Sequence, residues 1–407
     1  MNLRRFAGRG LAGINKSIRK GISMSDIIIK LQTGPHQVRY TPVSAVAPID
    51  MSACCGILTE TATGLRIPCQ IEKAESGTKL TWLVEAAPAR SVVEYTFEPC
   101  AECIPNRVEI AEITGNKLEI KIGGEMFTQY NYGSEWVRPF LYPVIGPNGK
   151  GITRNWPMIE GVPGEVMDHK HHKGIYVAYG NVNGTDNWSE EKDHASILHQ
   201  RFEEIVSGPV FGKFRSINDW VSRDGKKQVE DVREFTFYAT PASERLIDVT
   251  VNFRASVGDV NFIGTKEGGI ISIRVATSMD GNKGGTIVNA YGGVTEAENW
   301  GKPAQWVDYY GPVDGSTVGI AAMDHPKSFR YPARWHVRDY GLFTANPFAL
   351  RDYDPSLGLS GDHLLKSGEE LFFGYRLYIH SGRTDEADVS GKHLAFAHPP
   401  KITVEGF

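Results

Sequence analysis

Alternation of apolar and polar residues, repeated along most of the chain, is the feature that most constrains the fold. Residues 247–255 read Ile-Asp-Val-Thr-Val-Asn-Phe-Arg-Ala, and residues 371–379 carry apolar side chains at every second position. Successive side chains of a strand point to opposite faces of a sheet, so a period of two predicts half-buried antiparallel strands. No segment shows a convincing helical periodicity. We therefore predict an all-β protein.

The pattern divides the chain into three parts. Residues 26–122 show short strands broken by turns and few residues suited to chemistry, which predicts a small N-terminal β-sandwich module. Residues 123–407 contain longer strands and most of the histidines, and predict a large antiparallel two-sheet sandwich that carries the site. Residues 1–25 contain six basic residues and no acidic residue before Met24. This composition predicts a disordered leader.

Composition narrows the class of protein. A net charge of -4 gives no electrostatic footprint for nucleic acid, and no apolar run is long enough to span a bilayer, which predicts a soluble protein. All five cysteines lie before residue 104, and their odd number does not fit a secreted disulfide framework. We expect free thiols and a cytoplasmic location. A zinc site that uses Cys54-Cys55 and Cys100-x-x-Cys103 is the alternative, although a second well-spaced pair is missing.

The segment Asp168-His169-Lys170-His171-His172 is the strongest candidate for a functional site. Imidazoles titrate near neutral pH, so a cluster of three is unusual for ordinary surface. On a strand, His169 and His171 would face one way and His172 the other. A ligand or catalytic site is our interpretation, and a solvated polar turn between two strands is the alternative.

Other residue types complete the candidate site. Glu267 precedes two glycines and could act as a general acid or base in a cleft. Arginine offers a fork of donors for hydroxyls or carboxylates, and aromatic rings pack against the CH faces of sugars. The candidate catalytic residues are His171, His172, Glu267 and His336. The candidate substrate-binding residues are Arg138, Arg154, Asn155, Asp168, His169, Asn183, Asp186, Trp188, Trp300 and Trp335.

A metal is the open question at this site. Asp168 and its neighbouring histidines could supply part of a shell for Zn, Mn or Fe, completed by His325 or His336. The spacing is not a diagnostic one, and the chain contains no H-E-x-x-H, P-loop or G-x-S-x-G motif. We predict no cofactor and no metal ligands, with a divalent metal as the alternative.

Several motifs carry a family resemblance. The segments DHKHHKG, GNVNGTDNWSEE and RPFLYPVIGPNGKGITRNWPM resemble the DUF6807 family, which has also been named methane oxygenase PmoA. The resemblance covers most of the chain from about Gly34. It implies a β-sandwich of the galactose-mutarotase type that is associated with carbohydrate use. The oxygenase name implies a membrane-embedded copper enzyme, and the missing spanning segment does not support that chemistry.

Residues and resemblance together predict a carbohydrate-active enzyme that works by His/Glu acid–base chemistry on a small-molecule sugar or glycoside. Epimerisation, elimination or hydrolysis would each need a proton donor and a proton acceptor. The alternatives are a non-catalytic carbohydrate-binding protein and a metal-dependent lyase or oxygenase. We expect the histidines, an arginine, Glu267 and His336 to line one concave face, with Trp188 and Trp300 at its rim. Oligomeric state, substrate and stereochemistry are not specified by the sequence.

Overall fold

The predicted all-β fold is confirmed by a computed structural model, which describes residues 27–406. Across these residues the chain forms strands joined by turns, with three short α-helices. The predicted leader, residues 1–25, lies outside the described residues. No helix in the described part of the chain has the length and hydrophobicity needed to cross a lipid bilayer.

The strands and helices follow one another along the chain in three groups. The first strands are β1 (Ile28–Gln32), β2 (Val38–Ala47), β3 (Cys55–Glu60), β4 (Arg66–Ala74), β5 (Gly77–Ala87) and β6 (Val92–Pro99). The middle strands are β7 (Val108–Ile113), β8 (Lys117–Ile122), β9 (Glu125–Asn131), β10 (Phe140–Val144), β11 (Ile175–Tyr179), β12 (Ser196–Val206), β13 (Phe211–Val221), β14 (Lys227–Tyr238), β15 (Glu244–Arg254) and β16 (Val260–Phe262). The last strands are β17 (Gly268–Arg274), β18 (Thr286–Asn289), β19 (Trp306–Val313), β20 (Ser316–Asp324), β21 (Arg334–Arg338), β22 (Leu342–Asn346), β23 (His363–Leu365), β24 (Glu370–Ser381) and β25 (Lys401–Glu405). The helices are α1 (Thr295–Asn299), α2 (Leu350–Tyr353) and α3 (Val389–Ala397).

Three large antiparallel sheets organise these strands. The N-terminal sheet has the order β2-β5-β4-β3-β6-β1-β25, so the last strand of the chain returns to the first unit. The second sheet has the order β21-β22-β17-β11-β10-β9-β8-β7. The third sheet has the order β12-β13-β14-β15-β24-β20-β19-β18, and β16 pairs with β23 separately.

The predicted boundary between residues 122 and 123 differs from the observed sheet topology. Strands β7 and β8 join the second sheet through β9, and β25 joins the N-terminal sheet, which contains residues from both ends of the chain. Alternation identifies a strand by its side-chain period, but it carries no information about which sheet the strand joins.

The second and third sheets pack face to face around the main core. Tyr130 of β9 contacts Phe214 of β13 with ring centroids 4.7 Å apart, and Phe127 contacts Phe237 of β14 at 6.1 Å. On the second sheet the inner face carries a cross-strand row of apolar side chains with no exposed surface: Ile175, Ile273, Phe343 and Val337. Because side chains alternate along each strand, their chain neighbours must point to the opposite, outer face of this sheet.

The cysteines differ from the expectation of five free thiols. Cys54 and Cys103 are joined by a disulfide, which links the start of β3 to the segment after β6. The prediction was wrong because the two partners are separated by 49 positions and become neighbours only through sheet pairing. The disulfide also removes Cys54 and Cys103 from the zinc site that was the alternative to free thiols.

Candidate active site

The outer face of the second sheet carries a row of polar residues. Tyr176, Ser272, Thr344 and His336 are successive cross-strand partners on β11, β17, β22 and β21, and directly paired residues share a face. The Ser272 and Thr344 hydroxyl oxygens lie 2.8 Å apart. All four residues are buried although they lie outside the face that packs on the third sheet. Loops therefore cover this face, and the row forms the floor of the candidate site.

Arg154 fastens the histidine segment to this floor. Its side chain is fully buried, and its Nη1 donates to Asp168 Oδ1 at 2.6 Å. Its Nη2 donates to the carbonyl oxygens of Asp168 (3.1 Å) and His169 (2.9 Å). Arg274 places its Nη2 3.7 Å from the same carboxylate. Partial burial opposes ionisation, but the hydrogen bonds from Arg154 and His169 lower the pKa of Asp168, so this carboxylate stays charged.

The segment itself is a turn rather than a strand. The His172 N–H donates to the His169 carbonyl oxygen at 3.0 Å, and His169 has a φ of 40°, a backbone conformation that is rare for a residue other than glycine. Strand alternation therefore does not apply to these histidines. The predicted alternative of a turn is right for the backbone, but the turn is packed against other side chains instead of being fully solvated.

Asp168 and His169 form a carboxylate–imidazole dyad. His169 Nδ1 lies 3.0 Å from Asp168 Oδ2, and the His169 side chain is 39% exposed. When Nδ1–H donates to the carboxylate, the lone pair of the neutral ring resides on Nε2. Within the described part of the chain Nε2 makes no hydrogen bond, so this nitrogen is open to a ligand.

Tyr340 places an aromatic ring beside the dyad. Its ring centroid lies 4.9 Å from that of His169, with 17° between the planes, and the Arg274 guanidinium lies 4.8 Å from the Tyr340 centroid. Burial raises the pKa of Tyr340; Arg338 and Arg274 lower it, and Glu267 and Asp168 raise it further. The charges of the Asp168 and Glu267 carboxylates therefore both act on the Tyr340 phenol.

His171 and His172, the predicted catalytic histidines, lie deeper than His169. His172 is 1% exposed, and burial lowers its pKa well below the usual value. Burial and then the charge of Arg138 lower the pKa of His171 to about 3. Both imidazoles are therefore neutral at physiological pH, and both pack against Trp188 at centroid distances of 5.8 and 5.6 Å. In this arrangement they support the turn that presents His169.

Arg138 was predicted to hold a ligand, but both of its Nη atoms donate hydrogen bonds inside the protein. Nη1 donates to the His171 carbonyl oxygen at 2.9 Å, and Nη2 donates to that of Trp188 at 2.5 Å. Its charge is balanced by Glu190, 3.5 Å away, which also pairs with Lys173. Because this side chain is 1% exposed, Arg138 ties two loops together and has no free surface for substrate.

The other residues of the polar loop that were predicted to bind substrate stabilise the loop itself. Asp186 Oδ1 accepts the N–H groups of Trp188 (2.8 Å) and Ser189 (3.0 Å), which closes the polar loop. Asn183 Oδ1 accepts the Asn261 N–H at 2.7 Å, so this side chain fastens the loop to β16. Trp188 is 2% exposed and is therefore not the rim platform that we predicted. Polar turn residues hydrogen-bond neighbouring backbone as readily as they bind ligands, which explains these errors.

Asn155 likewise serves the loop that precedes the histidine turn. Its Nδ2 donates to Glu165 Oε1 at 2.9 Å, and its Oδ1 accepts the Tyr142 hydroxyl at 2.8 Å. The Glu165 carboxylate also accepts the backbone N–H groups of Asn155 and Trp156. The predicted ligand contact of Asn155 would compete with this closed set of hydrogen bonds.

His336, another predicted catalytic residue, has no free nitrogen. Nδ1 donates to the Lys266 carbonyl oxygen at 2.9 Å, and Nε2 accepts from Arg338 Nε at 3.1 Å. Burial and the Arg338 charge lower its pKa to about 4. His336 therefore cannot exchange a proton with substrate in this arrangement. It instead positions Arg338 and the backbone next to Glu267, whose side chain is 52% exposed.

The two late tryptophans have different environments. Trp335 has no exposed surface, donates its Nε1–H to the Ala304 carbonyl oxygen at 2.8 Å and belongs to the main core. Its predicted ligand contact is wrong, because neighbours along a strand face opposite ways and His336 occupies the outer face. Trp300 is half-buried beside the outer face, with the Arg338 guanidinium 5.8 Å from its ring centroid.

Sequence reasoning missed Arg274, Asp280 and Tyr340. The alternation of Ser272 and Arg274 with the apolar Ile271 and Ile273 was a usable signal for a polar outer face. Burial raises the pKa of Asp280 to about 6 near Arg274. No pattern marked Tyr340, which follows β21 in a short turn. Among residues 27–406, no group of three or more His, Cys, Asp or Glu side chains is arranged to hold a metal ion.

Comparisons with known proteins identify the family. Residues 117–393 match the model of DUF6807, a family of unknown function, and the chain belongs to that family. No curated protein matches the chain. It is similar to a solved protein in glycosyl hydrolase family 38 from Enterococcus faecalis, with a TM-score of 0.41 and 10% identity over 93% of this chain and 47% of that one. An alpha-mannosidase from Enterococcus faecalis V583 gives a TM-score of 0.39 and 10% identity over 94% and 47%. The chain thus spans about half the length of these proteins, and similarity at this level carries no argument about function.

Proposed function

We propose that this DUF6807 protein is a carbohydrate-active enzyme in which the Asp168–His169 dyad transfers protons. The observation that carries the proposal is the 3.0 Å contact between His169 Nδ1 and Asp168 Oδ2, combined with the exposure of the histidine. A carboxylate fixed by Arg154 holds the imidazole in one tautomer and stabilises the imidazolium that forms when Nε2 takes a proton. We assign to His169 the catalytic acid–base role that the sequence predicted for His171 and His172.

Glu267 is our candidate for the complementary acid or base. Its carboxylate is half exposed and, like Asp168, acts on the pKa of Tyr340. Epimerisation, elimination and hydrolysis each require a donor and an acceptor around one substrate. Trp300 offers a flat ring for the CH face of a sugar, and Arg338 lies next to Trp300 as a donor for hydroxyl groups. These side chains support a sugar or glycoside as the substrate class.

The experiment is a reaction screen in deuterium oxide. Sugars, keto-sugars and glycosides are incubated with the protein, and proton NMR follows both new products and solvent exchange at carbon. We expect turnover of at least one compound, with a loss of at least a hundredfold in kcat for His169→Gln. His398→Gln changes another exposed histidine and is the matched control, with unchanged turnover expected. Full turnover in His169→Gln would remove the dyad from the mechanism.

A non-catalytic carbohydrate-binding protein is the second candidate, favoured by the Trp300 and Arg338 surface. It predicts saturable sugar binding without turnover, and weaker binding in Trp300→Ala while His169→Gln binds normally. A metal-dependent lyase or oxygenase predicts stoichiometric metal in the purified protein and loss of activity on chelation. Elemental analysis separates it from the other two.

A cytoplasmic location is kept as a prediction only, and one observation argues against it. Disulfides such as Cys54–Cys103 form mainly in oxidising compartments. Trapping thiols with an alkylating reagent at the moment of lysis tests the prediction, since a cytoplasmic protein would yield both cysteines in the alkylated form.

A further inference from the structure

Four of the five cysteines meet at one corner of the N-terminal sheet, outside the candidate active site. The Cys54–Cys103 disulfide lies at the surface of this corner. Cys55 is the first residue of β3, and its Sγ lies 3.8 Å from Cys54 Sγ. Cys100 follows β6 directly, and both Cys55 and Cys100 are free thiols. The corner thus holds one disulfide and one dithiol side by side.

Cys55 and Cys100 face each other across two paired strands. Gly56 is the partner of Pro99 in the antiparallel ladder, and the Cys100 N–H donates to the Cys55 carbonyl oxygen at 3.0 Å. The two cysteines are therefore directly opposed on neighbouring strands. In such a pair the Cα atoms lie about 5.5 Å apart, inside the range of about 4.4–6.8 Å that a disulfide requires. A bond between them needs rotation of side chains and no movement of the strands.

The positions of the two thiols allow this pair to react. The Ile104 N–H donates to Cys55 Sγ at 3.0 Å, which holds this sulfur at the start of β3. Cys100 is half-buried, so a small reagent can reach it. A cleft of about 620 Å³ opens beside Cys54, Cys55 and Cys103. Burial raises the pKa of the Cys100 thiol, and it raises the pKa of the fully buried Cys69 thiol far above the usual value.

We propose that Cys55 and Cys100 form a second, redox-active pair that closes to a disulfide by exchange with a low-molecular-weight disulfide. The Cys100 thiolate attacks one sulfur of the reagent, forms a mixed disulfide and releases one small thiol. The Cys55 thiolate then attacks Cys100 Sγ, forms the cross-strand bond and releases the second thiol. The protein loses two protons and two electrons, and the reagent takes up both as it becomes two thiols.

The Cys55–Cys100 bond would add little to the stability of the fold, so its expected role is redox exchange. Cys54–Cys103 already closes a loop of 49 positions, and a bond between the adjacent Cys55 and Cys100 closes almost the same loop. Little further chain entropy is removed from the unfolded state by the second bond. We therefore expect only a small change in the unfolding temperature on oxidation of the pair, compared with the change on full reduction of the corner.

The test is a titration of the full chain with mixtures of reduced and oxidised glutathione. Denaturation with an alkylating reagent, followed by intact-mass and peptide analysis, counts the remaining thiols. We expect three alkylated cysteines at the reducing end (Cys55, Cys69 and Cys100) and one, Cys69, at the oxidising end. Cys69→Ser, the matched control, should still lose two thiols. Cys55→Ser should instead trap glutathione on Cys100.

Three results would overturn the proposal. The first is that three thiols persist at every glutathione ratio. The second is that peptide analysis finds Cys100 joined to Cys103 or Cys54, which would show exchange within the corner instead of a second pair. The third is that the reduced protein binds one zinc ion per chain in a way that depends on all four cysteines and protects them from alkylation.

Discussion

Replacement of Arg154 by methionine tests how the candidate site is held together. The guanidinium is fully buried and makes three hydrogen bonds to Asp168 and His169, at 2.6, 3.1 and 2.9 Å. Methionine preserves the apolar stem and removes every donor. Loss of one partner of a buried ion pair costs about 3–5 kcal/mol. Asp168 is 35% exposed and can be rehydrated, so we expect the lower end, about 3 kcal/mol in the free energy of unfolding.

Urea unfolding measures this loss, and hydrogen–deuterium exchange locates it. The amides of residues 167–172 should exchange faster in Arg154→Met, because the turn loses its attachment to the sheet. The same substitution at Arg223, which pairs with Asp193 in an exposed ion pair, is the control and should cost less than about 1 kcal/mol. If Arg154→Met unfolds at the same urea concentration as the control and exchanges like wild type, Arg154 does not organise the turn.

Three further predictions concern the core and the outer face. Burial raises the pKa of Asp324 to about 7 from 3.8, so its folded-state stabilisation is present below pH 3.8 and is lost as pH rises through 7. At roughly 1.4 kcal/mol per pH unit this loss is about 4 kcal/mol. Urea unfolding between pH 4 and 9 should show the loss in the wild type and not in Asp324→Asn. If the unfolding free energies of the two proteins fall equally with pH, the pKa of Asp324 is not raised. Trp335→Ala should cost about 3–5 kcal/mol of stability, because it empties a core site, as thermal unfolding would show. Trp300→Ala should weaken sugar binding in calorimetry, whereas unchanged affinity would remove Trp300 from the site.

The fold could be predicted because strand alternation is a local property. The alternation over residues 247–255 and 371–379 lies almost entirely in β15 (Glu244–Arg254) and β24 (Glu370–Ser381). Sheet membership could not be predicted in the same way. The assignment of β7 and β8 depends on which edges are free after the chain collapses, and β25 pairs with β1 across nearly the whole sequence.

The sequence identified the histidine segment as the candidate site, but it did not identify which histidine is exposed or that Tyr340 lies beside it. Treating residues 168–172 as a strand placed His171 and His172 on opposite faces. The segment is instead a turn in which His169 has a positive φ and is the most exposed of the three histidines. Tyr340 reaches His169 only because β21 and β11 belong to one sheet, a relation that the sequence does not state.

Trp335 and His336 illustrate a different kind of error. Both were assigned to the ligand, although the period of two along a strand already forbids adjacent residues from facing the same side. Val337 shows which of these two side chains points into the core. It lies two positions from Trp335, so it shares that residue's side of the strand, and it is apolar and fully buried. Applying alternation to candidate site residues as strictly as to strand prediction would have separated them.

The backbone of His169 connects the buried arginine to the chemistry that we propose. A non-glycine residue at positive φ is strained by about 1–3 kcal/mol, and the strain persists only where surrounding contacts impose it. Arg154 supplies such contacts, because its Nη2 donates to the carbonyl oxygens of Asp168 and His169. These are the carbonyl groups immediately before and after the His169 Cα atom. The same guanidinium fixes the carboxylate that holds His169 Nδ1. One buried cation therefore anchors both the backbone that carries the imidazole and the carboxylate beside it, and the proposed proton transfer depends on both.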